Sequence, residues 1–221
     1  MQCIKVCCSV IIIIAILISC KQSAIQRKQE IRVLPFYTSA DFTPRWIKNN
    51  SVDDASVHTI PSFQFRDQDN QPVTEKTFAG KIYVADFFFT ACPGICKKLT
   101  TNLALVQTAF QNDKNVLLLS HSVTPESDDV TRLQQYANAN GVIRNKWHLV
   151  TGKREDIYAI ARNAYFADED VGVQKNSNDF LHTENVLLID KHHHIRGIYK
   201  GTSVKDINDL IADIKILKLE E

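Results

Sequence analysis

The chain has 221 residues, 44% of them hydrophobic and 23% charged, with 26 Lys and Arg against 25 Asp and Glu. That balance excludes wholesale disorder and a collagen-like repeat, and a formal charge of +1 offers no basic footprint for nucleic acid. Only the extreme N-terminus carries a long apolar run without a charge, which excludes a multi-span membrane protein.

Lys5 precedes nine consecutive apolar residues, 10–18. A bilayer core takes about 20 residues to span, so this run is too short for a stable transmembrane helix and suits the apolar centre of a signal peptide. It closes on Leu17-Ile18-Ser19-Cys20, which resembles the bacterial lipobox: a small residue directly before the cysteine, and Leu three before it. Residues 1–19 therefore read as a lipoprotein signal peptide and Cys20 as the acylated first residue of the mature chain. The expected location is a bacterial membrane, anchored by lipid, with the domain on the extracytoplasmic (periplasmic) side. Cleavage would remove Lys5 as the one charged residue, leaving 25 basic against 25 acidic, and would reduce six cysteines to Cys20, Cys92 and Cys96. Two thiols four residues apart cannot staple a whole domain, so in an oxidising compartment they are a local device.

Residues 20–56 read as a tether and docking arm, polar at first. Pro35, Phe36, Tyr37, Phe42, Pro44 and Trp46 then suggest that the second half lies against a domain. From 57 to 221 strands and helices alternate. Residues 62–66 alternate like a half-buried strand and 67–70 like a turn. The run IYVADFFF, 82–89, predicts a central strand covered on both faces, with Asp86 as an unusual carboxylate in it. Leu99, Leu103, Val106 and Phe110 recur at helical spacing, and 116–119 predict a second central strand with His121 near its end. A helix over 128–140 is stopped by Gly141, a strand follows at 147–150, and another helix at 154–165. Residues 186–190 and 195–199 predict two antiparallel strands around the turn Lys191-His192-His193-His194, read as solvated rather than metal-binding. Ser203 caps a last helix whose apolar positions are Ile207, Leu210, Ile211 and Ile214. This order predicts an α/β, thioredoxin-like fold: a central mixed β-sheet flanked by helices, plus an N-terminal arm or hairpin.

Cys92-Pro93-Gly94-Ile95-Cys96 falls where the buried strand hands over to a helix. With Cys92 at the helix entrance, Pro93 occupies the first helical position, where a missing N–H costs nothing. A helix N-terminus stabilises a thiolate. Cys96, four residues on, shares the same helix face, so the pair can close as a disulfide or present two soft thiolates to Cu(I) or Zn(II).

The segment FFFTACPGICKKLTTNL resembles the SCO/SenC family of extracytoplasmic, thioredoxin-like copper proteins, whose hallmark is C-P-x-x-C with three residues between the cysteines. Thioredoxins themselves usually have two. SHSVTPESDDVTRLQQYA, KWHLVTG and DFLHTENVLLID match further, and the likeness covers roughly 61–217. It implies a copper site, Cu(I) or Cu(II), formed by Cys92, Cys96 and a distal His. His182, ninety residues after Cys92, stands at the matching position. Two departures are Gly94, where the family often has Asp, and Thr124-Pro125, where it has Asp-Pro. Neither removes a metal ligand.

Two readings of function follow. The resemblance implies a membrane-anchored metallochaperone that delivers copper to the dinuclear centre of cytochrome c oxidase subunit II. The alternative is a thiol-disulfide oxidoreductase that keeps a partner's cysteines reduced, with Cys92 attacking, Cys96 resolving and a thiol reductant recharging the pair. Met1 is the single methionine, so a Cu(I) site in the mature chain must use Cys and His. The last proline is Pro125, so the groove-shaping proline of thioredoxin oxidoreductases is replaced by a loop carrying His182, which favours a ligand over a peptide clamp.

Overall fold

Residues 82–88 bury every side chain, as their nearly continuous apolar run predicts, and the rest of the domain is built outward from them. The computed structural model describes residues 33–47, 57–167 and 183–220, which belong to one compact unit beginning at Val33. The signal-peptide run, Cys20 and the first part of the tether lie outside the described residues. In chain order the strands are β1 (Phe36–Tyr37), β2 (Pro44–Arg45), β3 (Gln64–Asp67), β4 (Pro72–Thr74), β5 (Ile82–Phe88), β6 (Val116–Ser122), β7 (Trp147–Thr151), β8 (Asn185–Ile189) and β9 (Ile195–Lys200). The helices are α1 (Ile95–Ala109), α2 (Val130–Ala139), α3 (Arg154–Asn163) and α4 (Val204–Leu217), and Glu75–Phe78 form a 3-10 turn.

Among the described residues these strands form one mixed sheet in the order β2-β1-β9-β8-β5-β6-β7-β3-β4. The pairs β5–β6 and β6–β7 are parallel, and β5–β8, β8–β9 and β7–β3 are antiparallel. Side-chain alternation along β5 divides the core in two. Ile82, Val84 and Phe88 face α1 and α4 with Leu99, Leu103, Val106, Ile207, Leu210 and Ile214. Tyr83, Ala85 and Phe87 face α3 and the β3 edge, with Ile157, Ala161, Phe63 and Phe65. Each large apolar side chain so buried contributes about 1.5–3 kcal/mol before entropy is counted. The fold class is as expected: a mixed sheet with flanking helices.

Capping residues set the helix starts. Asp129 accepts the Arg132 amide at 2.7 Å and starts α2, Gly141 follows its end at φ +66, and Ser203 accepts the Asp206 amide at the start of α4. The expected helices at 128–140 and 154–165 are thus one or two residues longer at their ends than the observed ones.

Within the described part of the arm, 33–47, the start docks on the domain. Leu34 and Phe36 are buried, β1 pairs with β9, and the Arg196 guanidinium binds the carbonyls of Leu34 (2.7 Å) and Pro35 (3.1 Å). Trp46 does not dock: it is 67% exposed, because β2 is the outer strand of the sheet. The turn after β8 also departs from expectation. His194 is buried with its ring on Asp190 (3.3 Å) and against Phe36, so only His192 faces solvent fully. Asp190 organises this turn by accepting the amides of His192 and His194 at 2.9 Å.

Candidate metal and redox centre

Between β5 and α1 the chain is irregular, and the helix begins later than expected. Gly94, at φ −129 and ψ −104, is the N-cap, so Pro93 precedes the helix instead of opening it. Cys92 is therefore not a helix residue, yet its sulfur reaches the helix mouth: the Cys96 amide donates to Cys92 Sγ at 3.5 Å. Both cysteines are free thiols. Cys92 is partly exposed, while Cys96 is buried on the face of α1 that packs under the sheet.

The two sulfurs differ sharply. Burial pushes the Cys92 thiol up, but the Cys96 side chain and the amides of Cys96, Gly94 and Ile95 outweigh it and hold Cys92 below its ordinary value. Burial, then the hydrogen bond to Cys92, push Cys96 up to about 12, with the charges of Cys92 and Asp86 adding to the rise. Such a pair has one ready nucleophile and one reserve thiol.

Asp86 shares the sheet face of Val84 and Phe88, the face that also buries Cys96. Ser120 Oγ donates to Asp86 Oδ1, and Ser120 Oγ in turn accepts Trp147 Nε1 at 2.8 Å. Burial raises the Asp86 carboxyl from 3.8 to about 7, with the Ser120 hydrogen bond acting in the opposite direction. This carboxylate is both hydrogen-bonded at the sheet end and electrostatically coupled to a thiol.

His121 points the other way. It stacks on Phe87 (4.9 Å between centroids) and meets Phe65 and Tyr165 in the opposite core. It packs and does not support the thiols. Its Nδ1 lies 3.4 Å from the Asp86 carbonyl, and Nε2 is buried without a partner. Burial lowers its pKa from 6.5 to about 4.

These two buried groups pull acid stability in opposite directions. Because the folded value of His121 is depressed, the stability it gives is present above pH 6.5 and lost as pH falls through about 4. The folded value of Asp86 is raised, so its contribution is complete below 3.8 and lost as pH rises through about 7. The His121 displacement is worth roughly 3 kcal/mol and the Asp86 displacement roughly 4 kcal/mol. Relative to wild type, His121→Phe should therefore gain roughly 3 kcal/mol of stability between pH 7 and pH 4, read from urea midpoints. Parallel pH profiles for the two chains would show that the imidazole is not held neutral.

His182 lies outside the described residues. The described chain resumes at Thr183 and enters β8, which runs antiparallel to β5 with Ala85 opposite Leu187. Thr183 and Glu184 thus stand at the end of the sheet where β5 delivers Cys92. That entry is tied to α1. Asn102 Nδ2 donates to the Gly201 carbonyl and the Gly201 amide to the Glu184 carbonyl, both at 2.8 Å. A side chain at Gly201 would collide with Leu99 Cδ1 and with Val186 Cγ2 (2.7 Å), so glycine permits the close approach of α1 to this stem.

Among the described residues no three His, Cys, Asp or Glu side chains gather as a metal site. Cys92 and Cys96 are the soft donors that come together; His58 binds the Ala164 carbonyl (2.7 Å) and His148 binds Asp67 (2.9 Å) in structural roles. Sequence reasoning missed one residue that holds the loop leading to Cys92. Asp128, read there only as a helix start, is buried and bonded to the Cys92 loop.

A mixed sheet that presents a strand-to-helix dithiol at its C-terminal end defines a thioredoxin-like redox or metal-binding domain. The SCO1/SenC family model matches residues 52–218, and the chain belongs to that family. A crystal structure of a SCO1/SenC family lipoprotein from Bacillus anthracis str. Ames is 29% identical, with a TM-score of 0.63, covering 73% of this chain and 95% of its own. Two others are under a quarter identical and speak to the fold. BsSco, described as a member of the Sco family of cytochrome c oxidase assembly proteins with a disulfide switch, is 23% identical at TM-score 0.60, covering 74% of this chain and 95% of its own. ScoI of Arabidopsis thaliana, solved with copper bound, is 24% identical at TM-score 0.56, covering 72% and 98%. No helix among the described residues is long and apolar enough to cross a membrane.

Proposed function

We propose that this protein is an extracytoplasmic copper metallochaperone, anchored by lipid at Cys20, that carries Cu(I) on Cys92, Cys96 and His182. The acceptor is the dinuclear copper centre of cytochrome c oxidase subunit II. The observation that carries the reading is the free dithiol in a SCO1/SenC domain: two soft sulfurs four residues apart at one helix mouth, with no methionine in the mature chain to compete. Copper bound to a relative and the assembly role of another support it. The stem that follows His182 enters the sheet at the thiol end, which is consistent with an imidazole third donor. A site with few ligands suits handover, because an incoming thiolate can take an open position before the first sulfur leaves.

Anaerobic Cu(I) titration of the reduced soluble domain tests the reading. One equivalent should bind tightly. His182→Ala should weaken that binding by roughly a hundredfold or more while leaving disulfide formation intact. Unchanged stoichiometry and affinity in the variant would remove His182 from the site, and failure of wild type to bind would end the copper reading.

The difference between the two thiols favours a second reading, a thiol-disulfide oxidoreductase in which Cys92 attacks a partner disulfide and Cys96 resolves the mixed species. Copper loading itself needs the pair reduced, so the two activities share one requirement.

A further inference from the structure

Asp128 is a buried carboxylate that collects donors from two segments, the Cys92 loop and the chain leaving β6. Its Oδ1 accepts Thr90 Oγ1 at 2.5 Å; its Oδ2 accepts the Thr90 amide (3.1 Å), Ser122 Oγ (2.7 Å) and Thr124 Oγ1 (3.0 Å). Thr90 belongs to the irregular loop that carries Cys92, Ser122 ends β6, and Thr124 lies in the following turn. From outside, Arg132 Nε of α2 donates to Thr90 Oγ1 at 3.0 Å, which orients the Thr90 hydroxyl proton toward Asp128. The loop itself is a tight turn, in which the Cys92 amide reaches the Phe89 carbonyl at 3.3 Å.

We propose that Asp128 is a positioning residue for the dithiol: by gripping Thr90 on both its amide and its hydroxyl, it fixes the loop that aims Cys92 at the mouth of α1. The proposal rests on the dithiol being the working group, as argued above, and not on which chemistry it performs. A carboxylate bonded to an amide and three hydroxyls is strongly held, and losing it strands buried donors. The consequence falls on the sulfurs. Cys96 is set by the helix, whereas Cys92 hangs on the loop, so loosening the loop lowers the effective concentration of one sulfur at the other. The reduced pair gains freedom that the closed disulfide cannot share.

Equilibration with glutathione measures this without metal. Oxidised glutathione takes two electrons from the pair; a Cys92–Cys96 bond forms, the glutathione disulfide bond breaks, and both thiol protons end on two reduced glutathione molecules. In the full soluble domain, Asp128→Asn and Thr90→Val should each lower the equilibrium constant for closing the disulfide by about tenfold, and Thr90→Ser should restore it. Gln68→Leu, which breaks buried hydrogen bonds to β7 away from the loop, serves as the control for stability alone and should leave the constant unchanged. Thr90→Val keeps the test decisive if Asp128→Asn does not fold. Constants within twofold of wild type in the folded variants, or an equal fall in the control, would overturn the proposal. A wild-type domain that binds no Cu(I) would end the copper reading yet leave this equilibrium measurable, so the two failures are separate.

Discussion

Replacing Arg196 with Met should cost the folded domain about 3–5 kcal/mol at neutral pH. The guanidinium is buried near the start of β9, where it binds Asp190 at 3.2 Å and Glu220 at 2.5 Å. It also donates to the carbonyls of Leu34 and Pro35 and lies 4.0 Å over the Phe36 ring. Met can replace the packing of the aliphatic stem but not one of these bonds. The larger part of the cost is what stays behind. Burial works against the Asp190 carboxylate, and the His194 hydrogen bonds together with the charges of His194 and Arg196 hold it ionised. Without Arg196 a buried negative charge has lost its permanent counter-ion, and the arm has lost the donor that ties its backbone to the sheet. Urea unfolding measures the loss, and adding Asp190→Asn to the variant should recover a large share of it. A single-variant loss below about 1 kcal/mol would show that the arm and the C-terminal end of the chain are held by packing alone.

That cluster also shows what the sequence could and could not disclose. The central strand was legible because a strand buried on both faces must be apolar almost throughout, and residues 82–88 met that demand with Asp86 as the single exception. The last helix was legible from Ile207, Leu210 and Ile214, whose spacing places them on one buried face. Arg196 left no such mark. Its partners lie at Leu34, Pro35, Asp190 and Glu220, and pairings across so many residues have no periodicity to read. Trp46 illustrates the converse error, since an apolar ring suggests docking but an outer strand has only one neighbour to dock on. At the site, the two cysteines were plain because no other cysteine follows Cys20 in the sequence, whereas the late start of α1 depended on the backbone of Gly94. Asp128 hid as the first residue of an expected helix; Asp129 caps the observed one, and Asp128 turns inward. His182 was legible through the family resemblance, supported by the lack of a later methionine or proline, and lies outside the described residues, so it stands as a proposal.

The two single-cysteine variants should differ in reactivity by roughly a hundredfold or more at neutral pH, although each has lost exactly one sulfur. Cys96→Ser leaves Cys92 at the helix mouth, partly exposed, with the amides of Gly94, Ile95 and residue 96 still able to stabilise its thiolate. Cys92→Ser leaves Cys96, whose thiol stands at about 12 in the wild-type chain. Some of that elevation comes from Cys92 and disappears with it, but burial is the largest cause and survives. Thiolate, not thiol, reacts with iodoacetamide, so alkylation at pH 7 followed by mass spectrometry reads the difference directly. Cys96→Ser should also trap a partner as a stable mixed disulfide, since the exposed sulfur can attack and nothing can resolve it. Copper responds differently: both variants keep one soft donor and lose the pair, so both should lose tight Cu(I) binding. Unequal alkylation with equal loss of copper is the joint signature of a site whose sulfurs are asymmetric as nucleophiles and equivalent as ligands. Equal alkylation rates would mean that Cys96 becomes accessible in solution, and the attacking and resolving roles would then have no structural basis.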